Sequence, residues 1–348
     1  MQSGSGKLGT VEMIRGIAAL SVCLFHFQAN MQVSGLEQKY FNKLQLVLGS
    51  IFSYGHLGVQ AFFVLSGFII PYSMVKAGYN LSDFFRFFAR RCARIEPPYI
   101  ISILLAIALY YLSSLAPGFK GKPFDIGLGN FLSHLGYLPE HLGYDWILPV
   151  YWSLEAEFHF YILIGLILPF VWKSQKALFL FFAIGLILSL FIPLYVIKFM
   201  PFFVMGIATC AFKVKKIKSA GYWSALILAA VTCLVQGLEM TAPLVGVFTS
   251  ILVTYFKIEN RVTVFLGTIS FSLYLIHVPI GGRIINLLSR YISAPWQIWI
   301  LWTLALGVTI LASYLFFLLI ERPAMRLSKR IVYSNAQSRP EKILSTTN

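Results

Sequence analysis

Ten stretches of this 348-residue chain are apolar and long enough, or nearly so, to cross ~30 Å of hydrocarbon as helices. They run near 12–31, 56–75, 97–116, 151–172, 177–197, 199–212, 220–238, 241–256, 262–282 and 296–320, the sixth short and the eighth marginal. A bilayer core offers no water to an unpaired amide, so each stretch must bond its own backbone. The expected fold is therefore all-α, a polytopic membrane bundle of about ten transmembrane helices. Only 12% of the residues are charged and 58% are hydrophobic, whereas soluble domains carry roughly 25% charge. Residues 1–332 read as one transmembrane domain, with brief loops apart from 32–55 and 117–150, and residues 333–348 as a disordered cytoplasmic tail.

The polar start Met1–Thr10, followed by an apolar run that contains Arg15, does not read as a secretory signal. Cys23, Cys210 and Cys233 fall in apolar stretches and Cys92 in a basic one, so no disulfide framework is expected. There is no CxxC and no helical HExxH, hence no recognisable zinc site, and no resident cofactor is expected.

The net charge of +15 has a spatial logic. With the N-terminus inside, cytoplasmic stretches hold 20 of the 28 lysines and arginines, outside loops hold seven, and Arg15 lies within the first helix. That bias predicts an even number of crossings with both termini cytoplasmic. It also explains the basic excess as an orientation signal with attraction to anionic membrane lipid, and excludes a nucleic-acid footprint.

Against this background the ionisable residues inside apolar stretches stand out, because a charge at the bilayer centre costs at least ~2.5–3.5 kcal/mol. Arg15 and His26 are eleven residues apart, which returns a helix to within about 20° and separates them by roughly 16 Å along one face. Glu12 precedes Arg15 by three and can pair with it. Taken alone, these are equally a structural ion pair and an interhelical histidine. In GVQAFFVLSGFII (58–70), Ser66 and Gly67 point to a close helix crossing; Ser66 has no adjacent base and is not nominated as a nucleophile.

FFARRCARIEPPY (87–99) presents Arg90, Arg91 and Arg94 just before the third span, with Pro97 and Pro98 suited to helix entry. Arg91 and Arg94 can converge on one anion, and the guanidinium fork suits phosphate, although such a cluster is also an ordinary positive-inside signal. YWSLEAEFHFY (151–161) holds two i,i+4 pairs, Glu155–His159 and Glu157–Tyr161, with Glu157 the deeper carboxylate. SFSLYLIHVP (270–279) carries Ser270, Ser272, Tyr274 and His277, the last at a depth resembling that of His26. Both histidines and Glu157 are thus expected in the same outer half of the bundle. ERP (321–323) reads as a helix stop.

Seven motifs in order, IRGIAALSVCLFHF (14–27), GVQAFFVLSGFI (58–69), RRCARIEPPY (90–99), WSLEAEFHFY (152–161), PFFVMG (201–206), SFSLYLIHVP (270–279) and ERP (321–323), resemble the acyltransferase-3 family of membrane acyltransferases, in its stand-alone form without an SGNH domain. The resemblance implies a multi-pass enzyme of the bacterial plasma (inner) membrane that moves an acetyl or other short acyl group from cytoplasmic acyl-CoA to a hydroxyl. The acceptors it implies are commonly cell-surface or exported glycans or lipid-linked saccharides. It assigns catalysis to His26 with Arg15 as companion, donor phosphates to Arg91 and Arg94, and a role to Glu157. Glu12, Tyr161, Ser272 and His277 follow as secondary candidates.

On this reading His26 is the general base, oriented by Glu157 or another carboxylate, and attack is direct or passes through an acyl-histidine. Buried ionisable residues also mark transporters and flippases, which remain the alternative reading.

Overall fold

The computed structural model describes residues 7–115, 126–258 and 260–332; their regular structure is all helical, with no strand among them. The proposed tail, 333–348, lies outside the described residues. In chain order the helices are α1 (Lys7–Val33), the short α2 (Leu36–Tyr40) and α3 (Lys43–Ser53), α4 (Gly58–Ala77), α5 (Phe84–Ser114), α6 (Leu128–Leu135), α7 (Trp152–Val171), α8 (Gln175–Leu188), α9 (Tyr195–Lys198), α10 (Met200–Lys213), α11 (Ser219–Val235), α12 (Thr241–Tyr255), α13 (Arg261–Thr268), α14 (Ser270–His277), α15 (Arg283–Leu288), α16 (Pro295–Phe316) and α17 (Arg322–Lys329). Six helical stretches are long and apolar enough to cross a membrane: 9–33, 43–77, 81–114, 152–171, 270–291 and 295–329. Helices α8, α10, α11 and α12 are apolar but shorter.

Lipid tails are as apolar as leucine, so helices in a bilayer hold together by close packing rather than by escape from water. The crossing of α4 and α10 shows how close. Gly67 faces the backbone of Phe203, and a Cβ on Gly206 would stand 2.1 Å from the carbonyl oxygen of Val64. The Ser66–Gly67 break in a bulky run therefore marks a helix crossing, as its sequence suggests. Around it Phe160 stacks on Phe203 at 4.1 Å between ring centroids, and Phe63 packs 5.0 Å from Phe203. These rings pin α7 to α4 and α10. Gly206→Val should cost about 1–3 kcal/mol by forcing the helices apart. Melting temperature in detergent reads this loss, whereas Gly307→Ala, whose Cβ meets nothing within 4 Å, should leave it unchanged or raise it.

Two expectations from sequence are corrected. Helix α5 does not begin at Pro97–Pro98 but runs through both prolines from Phe84. The arginine cluster therefore sits within a helix that continues into the bundle, because the bilayer and neighbouring helices penalise a break more than the prolines' two missing amide donors. Nor does ERP end a helix. Phe317–Glu321 forms a π-helical turn and the chain continues directly into α17, with Pro323 next to the junction. A second π turn, Val278–Gly282, follows His277 directly. Such turns concentrate at functional sites.

Candidate active site

Two cavities among the described residues hold most of the predicted residues, whereas Glu12, Ser272 and His277 line neither of them. The first lies between α4, α5, α7 and α14, towards the end of the bundle where α1 begins, and has about 860 Å³ of empty volume, mouth included. Arg15, Ser66, Arg91, Arg94, Glu157 and Tyr161 are on its walls. The continuous helix α5 sets Arg91 and Arg94 three residues apart, so both guanidinium groups reach one space. The Arg91 guanidinium stands 5.5 Å from the ring centroids of both Phe87 and Tyr161 and donates to Ser73 Oγ at 3.4 Å. Arg15 lies 3.8 Å from Glu12, a loose pair that leaves its remaining donors for the cavity.

Glu157 is the carboxylate of this cavity. Its Oε1 accepts from Ser66 Oγ at 2.7 Å and from Tyr161 Oη at 2.5 Å. Behind the wall, buried Glu321 accepts from Ser272 through Oγ at 2.6 Å and the amide at 3.2 Å, within the electrostatic reach of Arg15 and Arg94. Three guanidinium groups against one lining carboxylate leave the cavity cationic. Its chemistry suits an anion with several acceptor oxygens, which planar guanidinium forks bind bidentately.

The second cavity, about 1080 Å³ of empty volume, lies towards the other end of α1. His26, His56, Gln60, Trp152, Lys198 and Glu239 are among its lining residues, a mixture of polar groups and an aromatic face. His26 holds its Nδ1 2.9 Å from the carbonyl of Val22 and 3.2 Å from Nε2 of His277, which is fully buried. Val59 and Tyr274 line both cavities. Tyr274 Oη is fixed 2.9 Å from Val150 O and 2.5 Å from Ser153 Oγ, which ties the dividing wall to the start of α7.

Residues 8–318 match the acyltransferase-3 family, described as an acyltransferase domain. The chain belongs to the acyltransferase-3 family. Acyltransferase MdmB of Streptomyces mycarofaciens is 30% identical over 166 residues, which are 46% of this chain and 39% of that protein. The alignment thus spans less than half of that relative. ORF330 of Acidianus two-tailed virus, assigned by its name to the acetyltransferases, is 26% identical over 302 residues, 77% of this chain and 82% of its own. No solved structure matches. Membership of the acyltransferase-3 family makes the protein an enzyme that transfers acyl groups other than aminoacyl groups, and its apolar helices make it a multi-pass membrane protein.

For an acyltransferase-3 enzyme the grouping of the predicted residues is informative. Arg15, Arg91, Arg94, Glu157 and Tyr161 come together, and His26 meets His277. Glu12 stays beside Arg15, and Ser272 holds Glu321. The expected meeting of Glu157 with the histidines is corrected. Trp152 lines the histidine cavity, but Glu157 lies five residues further along α7, about 7.5 Å, and faces the arginines. Glu155 and His159, the other i,i+4 pair, line neither cavity; Glu155 Oε1 lies 3.7 Å from His159 and 3.0 Å from His141. Sequence reasoning missed Ser66, whose partner comes from another helix, and Glu321, read only as part of a helix stop. It also missed His56 and Glu239, which reach the histidine cavity from connections between helices, and Gln60, which reaches it from the first turn of α4. Their polarity at helix ends was the available signal, and it is common at any membrane surface.

Proposed function

We propose that the enzyme takes an acyl group, acetyl in the simplest case, from cytoplasmic acyl-CoA in the arginine cavity and delivers it to a glycan hydroxyl in the histidine cavity. The observation that carries this is the pairing of a cationic cavity and a histidine cavity towards opposite ends of the bundle, with Val59 and Tyr274 common to both linings. In this reading the chain crosses a bacterial plasma membrane ten times, the four shorter apolar helices included, with both termini in the cytoplasm. The arginine cavity then faces the CoA pool. The asymmetry of lysine and arginine across the loops supports that orientation.

Arg91 and Arg94 bind the donor's phosphates, and Arg15, higher on the path, polarises the thioester carbonyl. Glu157 anchors Tyr161, whose ring faces the Arg91 guanidinium, and so holds the arginine in place. In the second cavity the acceptor is a cell-surface or exported saccharide, free or lipid-linked. Trp152 offers an apolar face to a sugar ring, and Gln60 and Glu239 offer partners to its hydroxyls. His26 removes the proton from the attacking hydroxyl. The new oxygen–acyl bond forms, the thioester carbon–sulfur bond breaks, and the proton leaves with the CoA thiol. A positioned base of this kind contributes ~10²–10⁴-fold.

The shared wall provides the test. Val59→Trp should leave acetyl-CoA binding to purified protein near the wild-type level while cutting acyl transfer by about 10²-fold, the scale of a 1 Å misplacement of reacting groups. Isothermal titration with acetyl-CoA and release of free CoA thiol read the two quantities separately. Undiminished transfer would contradict passage of the acyl group between the cavities at this wall.

A further inference from the structure

We propose that His277 is a positioning residue that, together with the carbonyl of Val22, holds the proton of His26 on Nδ1, leaving Nε2 as the atom that accepts the substrate's proton. The inference rests on His26 being the base, and it follows from which groups can donate. His277 Nδ1 lies 3.0 Å from the carbonyl oxygen of Leu273. A carbonyl only accepts, so His277 carries its proton on Nδ1. The ring is fully buried, facing the backbone of Leu273 and Tyr274 and the ring of His26. An imidazolium there would be a buried charge without a carboxylate, so the ring is neutral and its Nε2 presents a lone pair.

His26 Nδ1 therefore faces two acceptors, Val22 O at 2.9 Å and the His277 Nε2 lone pair at 3.2 Å. A proton on His26 Nδ1 satisfies both through a shared bond. The other tautomer would set three lone pairs against one another in a buried site and cost the desolvation of each. With Nδ1 protonated and turned to α14, Nε2 is the basic nitrogen left for the cavity that His26 lines.

The arrangement does the work of the carboxylate in a serine–histidine–aspartate triad without its charge. When the acceptor hydroxyl loses its proton to His26 Nε2, the imidazolium that forms still donates from Nδ1 to His277. The proton goes no further through His277, because the far nitrogen of that ring already donates to a backbone carbonyl. It stays available for the departing CoA thiolate. A π turn begins at Val278, immediately after this histidine.

Protein labelled with ¹⁵N at histidine tests this by NMR at neutral pH. Wild type should show one protonated Nδ1 and one unprotonated Nε2 at His26, assigned by comparison with His26→Ala. His277→Leu leaves Val22 O as the remaining acceptor for that proton, so it should weaken the tautomer preference and lower kcat by about 10²-fold, with KM for acetyl-CoA unchanged. His277→Gln, whose amide oxygen can stand where Nε2 stands, should recover the tautomer and most of kcat. A proton on His26 Nε2 in wild type would overturn the proposal. So would full turnover in His277→Leu, or equal loss in both variants with the tautomer preserved. If instead His26→Ala keeps wild-type turnover, the assignment of His26 as base fails, and the NMR result separates that failure from this one.

Discussion

His26→Ala should lower turnover by about 10²–10⁴-fold, the contribution of a positioned general base, while acetyl-CoA binding and the melting temperature stay close to wild type. The reasoning lies in where the ring is. His26 lines the second cavity and touches His277 and Val22, whereas Arg91 and Arg94, proposed to receive the donor, line the first. Removing the ring deletes one interhelical hydrogen bond, worth about 1 kcal/mol, and enlarges a cavity that already exists. The bundle keeps its glycine crossing and its Phe63–Phe160–Phe203 contacts, so folding survives. Release of CoA thiol in the presence of acceptor, with donor affinity measured in parallel, checks this. A fall in donor affinity matching the fall in turnover would place His26 at the donor instead.

The converse is expected of Arg91→Ala/Arg94→Ala. Each charge-assisted contact to a phosphate is worth about 1.5–3 kcal/mol, so the pair should weaken acetyl-CoA binding by 10²-fold or more. Residual turnover at saturating donor should stay near wild type. Lysines should restore only part of the affinity, because an ammonium lacks the planar fork and stacks less well on Tyr161. Wild-type affinity should also fall as salt rises, more steeply than in the double variant. Equal salt dependence in the two proteins would contradict a phosphate site on these arginines.

Periodicity and depth, the two quantities that helix geometry transmits directly, carried much of this into the sequence. The apolar stretches are largely helical, although 177–197 breaks after Leu188 and 262–282 divides at Ile269; Gly67 marks a true crossing, and the RxxR spacing brings two guanidinium groups into one cavity. The meeting of His26 and His277 followed from matching depths on two helices. What stayed hidden depends on lateral neighbours and rotation. Nothing in 87–99 shows that a helix will pass through two prolines, since the penalty for breaking it comes from the surroundings. Glu157 has a suitable depth from its own helix, yet its azimuth turns it to Ser66 and the arginines. Glu321 is recognisable as part of a buried polar network only once Ser272 is seen bonded to it.

The central claim is that donor and acceptor are held towards opposite ends of one bundle and react across the wall between them. Inverted membrane vesicles from cells making the protein, supplied with [¹⁴C]acetyl-CoA on the exposed cytoplasmic face, test it most directly. Label should enter esters inside the vesicles that resist added esterase until the membrane is opened, and His26→Ala should abolish their formation. Esters exposed to the enzyme from the outset, or uptake of acceptor with no loss of acetyl from CoA, would contradict it.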